Sequence, residues 1–80
     1  MNNKYQLYLQ DLGFLVKERA LSAKTDKEGK AQDSQSYLYE AGRLMAFNEI
    51  ISLMQQQAEG FEIDLSEINL GNLNPDQDLL

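Results

Sequence analysis

Three charged residues are spaced so that two predicted helices could bring them together: Arg19, Glu40 and Arg43. Glu40 occupies a core position of the second helix, Arg43 follows one turn later, and the predicted helix pairing places Arg19 level with Glu40. One interpretation is an anion-binding or catalytic pocket. The other is a structural ion pair between the helices, which we favour because an unpaired buried carboxylate is very costly and no third catalytic partner is visible.

The sequence lacks the residue types on which many enzyme and metal sites depend. It contains no histidine and no cysteine, which excludes Ser-His-Asp and Cys-His catalysis and makes a zinc site very unfavourable. It also lacks the glycine-rich motifs that bind phosphates. We therefore predict that the protein is not an enzyme, with no catalytic residue, metal ligand or cofactor.

The tyrosines suggest a further kind of site, one that binds nucleic acid. Tyrosine rings can stack on nucleic-acid bases, but that works beside a positive groove, and this chain has a formal charge of −6. We therefore predict no direct contact with nucleic acid and assign the tyrosines to a core or interface. The four are Tyr5, Tyr8, Tyr37 and Tyr39.

The last 22 residues, 59–80, contain six acidic and no basic side chains. The spacing does not match the calcium-binding loop of an EF-hand, so a solvated acidic surface is the simpler interpretation. A lysine group (Lys17, Lys24, Lys27 and Lys30) could contact an acidic partner or the acidic tail of a dimer mate, although a solvated end of the hairpin is favoured.

Two long helices must position these residues. Residues 4–24 form the first, because apolar residues recur at spacings of three and four, which is typical of a core-facing helix. That stripe contains Tyr5, Tyr8, Leu12, Leu15, Arg19 and Ser22, with Leu9, Val16, Ala20 and Ala23 beside it. Gly13 interrupts the helix and requires either a closely packed neighbour or a tolerated loss of stability.

A connector, residues 25–33, leads to a second helix over residues 34–59, with Asp33 or Ser34 as its N-cap. Gly60 is expected to end this helix in a left-handed conformation. Its core stripe contains Tyr37, Glu40, Leu44, Phe47, Ile51, Met54, Ala58 and Phe61. Residues 60–80 form a folded-back, partly helical tail, with apolar residues at Ile63, Leu65, Ile68, Leu70, Leu73, Leu79 and Leu80.

These elements predict an all-α fold, with residues 1–80 as a single domain. The two helices form an antiparallel hairpin in which Leu12 faces Phe47 and Leu15 faces Leu44. A short C-terminal tail packs on the hairpin.

The two helices also carry a second apolar row on their backs. It contains Leu7, Phe14 and Leu21 on the first helix, and Leu38 and Met45 on the second. Either the tail covers this row, or two hairpins pair there into a four-helix bundle, or another protein docks there. We predict a homodimer, because a chain of 80 residues without disulfides buries little core on its own.

The sequence thus predicts a small, non-enzymatic interaction or regulatory protein that acts through apolar helix faces. The alternative is an acidic mimic of nucleic acid that occupies a basic groove on a partner. No apolar run approaches the length of about 20 residues that a membrane helix requires, and no signal-peptide pattern follows Met1. We expect a cytoplasmic protein without membrane contact.

Overall fold

A computed structural model describes residues 3–79, and its regular secondary structure over that range is all helical. Helix α1 spans Lys4–Glu28, α2 spans Gln35–Gly60 and the short α3 spans Pro75–Asp78, with a 3-10 helix over Leu65–Ile68 between the last two. The two long helices pack against each other, so the predicted all-α hairpin is confirmed. Leu80, one of the predicted apolar tail residues, lies outside the described range.

Helix α1 continues four residues beyond its predicted end at residue 24. It begins where the Asn3 side chain accepts a hydrogen bond from the Tyr5 N–H, at 2.8 Å. The segment Thr25–Glu28, expected to belong to the connector, continues the helix instead. The helix then stops at Gly29, whose N–H still donates to the Thr25 carbonyl at 3.2 Å.

Helix α2 starts at the Ser34 cap, whose hydroxyl accepts from the Tyr37 N–H at 3.1 Å. Gly60 does not take the left-handed conformation we expected, because it is still helical. The left-handed residue is Glu62, with φ of 58°. Two hydrogen bonds close the end of the helix around it, from Glu62 N–H to Glu59 at 3.0 Å and from Ile63 N–H to Ala58 at 2.8 Å.

The predicted core stripe of α2 is correct for Leu44, Ile51 and Ala58, which are buried, but its last member, Phe61, is 75% exposed. Helix α1 buries a side about 90° around its axis from the predicted central row, toward the neighbouring Ala20 and Ala23. Its buried residues are Gly13, Ala20 and Ala23, while Tyr5, Tyr8, Leu15, Arg19 and Ser22 are exposed. Small side chains on α1 leave room for both α2 and the tail to approach closely, and the tail supplies the bulk of the apolar volume.

The tail lies in one groove between the two helices and runs parallel to α1. Its buried residues are Ile68, Leu70, Leu73, Pro75 and Leu79. The Gln55 amide donates to the carbonyls of Leu70 and Leu73, at 3.0 and 2.8 Å, and the Asn48 amide donates to the Pro75 carbonyl at 2.9 Å. The polar residues of α2 on this side therefore satisfy the backbone of the tail.

Gly13 is the point of closest approach between α1 and the tail. A Cβ atom at this position would overlap the carbonyl oxygen of Ile68. The open question about this mid-helix glycine is thereby answered, because a neighbouring backbone packs directly on it.

The register of the hairpin also differs from the prediction. Leu9 lines the same groove as Ala58 and Phe61, whereas the predicted pairing of Leu12 with Phe47 would place Leu9 level with Ile50. The contact between Arg43 and Asp26 points the same way. The helices are thus offset by several residues from the predicted pairing.

Candidate functional site

The predicted charged cluster forms only in part. Arg43 Nη1 lies 3.0 Å from Glu40 Oε2 and 3.4 Å from Asp26 Oδ2. Arg19 does not join this group; it lies exposed, earlier on α1. Asp26 takes the place predicted for Arg19 because the helices are offset, which brings Asp26 rather than Arg19 level with Arg43.

The chemistry of this cluster favours a structural role over an anion site. The pKa of Arg43 is raised, first by the hydrogen bond to Glu40 and then by the nearby carboxylates. The guanidinium also lies 5.8 Å from the centre of the Phe47 ring. With two carboxylates around one guanidinium, the cluster has a net negative charge and would repel an anion.

The five predicted interface residues are all exposed, but they do not form one surface. Leu7, Phe14 and Leu21 follow one flank of α1, and Leu38 and Met45 follow one flank of α2. The tail lies between the two flanks, since it hydrogen-bonds both Lys17 of α1 and Asn48 of α2. The tail therefore fills the groove between the helices without covering either row, and the role of these rows as an interface stays a prediction.

Two of the predicted solvated lysines hold the tail in place. Lys17 Nζ donates to Asn72 Oδ1 and Lys24 Nζ donates to the Asp78 carbonyl oxygen, both at 2.9 Å. The tail's carboxylates mostly point to solvent, and between Asn3 and Leu79 no three acidic side chains converge as metal ligands. The lysines thus contribute to the fold.

Sequence reasoning missed an apolar groove at the open end of the hairpin, where α1 begins and α2 ends. It has a volume of about 280 Å3 and an almost wholly apolar lining. The lining residues include Leu9, Leu53, Met54, Ala58, Phe61 and Ile68. The apolar tail could have indicated this groove. A tail that fills one side of the hairpin leaves the apolar residues of the predicted α1 stripe uncovered on the other side.

The tyrosines contribute mainly to the surface. Tyr5, Tyr8 and Tyr39 are exposed and Tyr37 is half-buried. Lys4 Nζ lies 5.7 Å from the Tyr5 ring centre, but the cavity beside this ring is lined by neutral and acidic residues, among them Leu9 and Glu67. The arrangement fits a protein interface better than a base-stacking platform.

Two findings complete the description of these surfaces. Neither long helix contains, over the described range, a stretch long and apolar enough to cross a membrane. No protein-family model, no curated protein and no solved structure matches this chain.

Proposed function

We propose that this is a small non-enzymatic interaction or regulatory protein that binds through its exposed apolar helix faces and associates with itself. The observation that carries the proposal is the distribution of apolar residues. Between Asn3 and Leu79, thirteen large apolar or aromatic side chains are exposed, whereas the buried core contains nine residues, three of them alanines. More large apolar side chains thus lie on the surface than inside.

The free energy of burying apolar side chains supports an interaction through these faces. Burying a leucine or phenylalanine side chain is worth roughly 1.5–3 kcal/mol, so covering even a few of the exposed ones is large compared with the stability of a small domain. Contiguous apolar surface beyond a few hundred Å2 commonly marks an interaction site. A homodimer arranged as a four-helix bundle is the simplest way to cover such surface with one chain type.

A second candidate function rests on the carboxylates of the tail side. Glu59, Glu62, Asp64, Glu67 and Asp76 are all exposed. Such a surface would suit an acidic mimic of nucleic acid that occupies a basic groove on a partner. Binding of that kind should weaken steeply as salt screens the charges.

Retention of partners by the immobilised full chain, at low and high salt, tests the proposal. We expect bound protein to resist high salt and to be lost from the Leu53→Lys variant, since that lysine disrupts apolar surface. Retention that disappears at high salt and persists in Leu53→Lys would favour the acidic mimic. Failure to bind any protein, including a second copy of the chain, would overturn both.

A further inference from the structure

On the side away from the tail, both long helices expose large apolar side chains. The tail contacts Lys17 and Lys24 of α1 and Asn48 and Gln55 of α2. Successive residues are 100° apart around a helix axis. On each helix, side chains about 140–180° around the axis from the tail-contacting residues therefore point to the opposite side. They include Tyr8 and Leu15 on α1 and Ile50 and Leu53 on α2.

We call this surface the open face; it comprises Tyr5, Tyr8, Leu12, Leu15, Ile50, Leu53, Met54 and Phe61. All but Leu12 and Met54 are exposed. At one end it contains the apolar groove between Leu9 and Phe61. Unlike the two flanking rows, it is not divided by the tail.

We infer that a second copy of the chain docks on the open face, pairing two hairpins into a four-helix bundle. The inference rests on the proposed function and adds to it the surface and the partner. It moves the interface from the predicted flanking rows to the side of the hairpin opposite the tail. The open face would then be the interior of the bundle, and the two tails would lie on its outside.

The accessible area supports a second copy. The chain exposes 5849 Å2, whereas a compact monomer of its 9.1 kDa mass exposes about 4,900 Å2. The excess, about 950 Å2, is close to the roughly 800 Å2 that each partner buries in a standard interface. The chain is also elongated, at 50 × 20 × 16 Å, which gives two hairpins a long side on which to pair.

Charge selects the same side of the molecule. Two copies each carrying a formal charge of −6 repel one another. The six acidic residues of 59–80 belong to the end of α2 and the tail, whereas the open-face row of α1 continues to the exposed, basic Arg19, one turn beyond Leu15. Approach through the open face therefore keeps the two acidic surfaces apart, while approach through the tail side would bring them together.

A matched pair of variants tests the inference, because Leu53 and Leu38 lie on the same helix and are 60% and 64% exposed. Sedimentation equilibrium of the full chain gives the dimer dissociation constant of each. We expect Leu53→Lys to raise the dimer dissociation constant at least tenfold, or about 1.4 kcal/mol. Leu38→Lys should leave this constant within about threefold of the wild-type value. Phe61→Lys, at the edge of the groove, is a second variant with the same expectation as Leu53→Lys.

Circular dichroism establishes that each variant remains helical. A wild-type chain that stays monomeric at about 100 μM would overturn the inference, as would an equal effect of Leu38→Lys and Leu53→Lys. The proposed function fails separately. If a monomeric wild type still retains another protein that Leu53→Lys releases, the second copy is wrong and the interaction function stands.

Discussion

At the C-terminal end of α2, Glu62 adopts a backbone conformation that glycine favours. Its φ of 58° lies in the left-handed region, which costs a residue with a Cβ roughly 1–2 kcal/mol. Glu62→Gly removes that cost and adds a smaller loss of chain entropy. We expect a gain of about 0.5–1 kcal/mol in the free energy of unfolding, measured by urea denaturation.

Asn69 provides the control for this prediction, since its φ of 61° is also left-handed. Asparagine tolerates this region better than glutamate, so Asn69→Gly should gain less. A loss of stability in Glu62→Gly would contradict the assigned conformation.

The two carboxylates around Arg43 should contribute unequally to stability. Glu40 lies 3.0 Å from the guanidinium with a side chain only 13% exposed, whereas Asp26 lies at 3.4 Å and is 49% exposed. Solvent screens the more exposed pair more strongly. We expect Glu40→Gln to lower the urea midpoint more than Asp26→Asn, and the reverse order would contradict the assigned pairing.

The cap of the 3-10 helix predicts a pH dependence. The carboxylate of Asp64 accepts hydrogen bonds from the Ser66 N–H and hydroxyl, at 3.0 and 2.9 Å. These bonds, that of the backbone first, hold the pKa of Asp64 below its ordinary value. Its contribution to stability is therefore complete above the unfolded-state pKa and is lost as the pH falls through the folded-state pKa.

Urea unfolding between about pH 5 and pH 2 measures this effect. We expect the decrease in unfolding free energy at acid pH to be smaller in Asp64→Asn than in the wild type. Asp33→Asn, which removes an exposed carboxylate of the connector, is the control for the loss of one charge. Identical pH profiles for the wild type and Asp64→Asn would show that this cap does not contribute.

At the scale of elements, Gly13 and Gly42 form a matched pair of mid-helix glycines. A Cβ at Gly13 would overlap the Ile68 carbonyl, whereas a Cβ at Gly42 would meet no atom within 4 Å. We expect Gly13→Ala to cost about 1–3 kcal/mol by forcing the tail away, and Gly42→Ala to gain about 0.5–1 kcal/mol. Equal gains in urea unfolding would mean that the tail does not pack on α1.

The sequence predicted α2 better than α1, for a physical reason. Leu44 and Ile51 are large residues in the core, so the spacing of apolar residues identified the buried side of α2. On α1 the buried side is marked by Ala20 and Ala23, whose small side chains give a weak signal. The larger tyrosines and leucines of α1 dominated the pattern, although they are exposed in the isolated chain.

The same error in α1 affected the candidate sites. The buried side and the register of α1 differ from the prediction, so Asp26 rather than Arg19 lies beside Arg43. This difference depends on tertiary packing. The groove at the open end was also not predictable from helix periodicity, because it requires the tail to fill the other side of the hairpin. The cap of α2 is a local feature, and the sequence indicated Ser34 as one of its two candidates.

At the scale of the whole molecule, the hairpin has two unlike sides. On one, the tail satisfies its backbone through Gln55 and Asn48 and brings acidic residues with it. On the other, the apolar open face continues along α1 to the exposed Arg19. The proposed dimer would cover part of the large apolar surface that the chain exposes.

Light scattering over a range of protein and salt concentrations gives the molar mass of the intact chain in solution and so decides whether it self-associates. We expect twice the 9.1 kDa of one chain, maintained at high salt because the buried surface is apolar. A mass of 9.1 kDa at every concentration would contradict self-association through the open face.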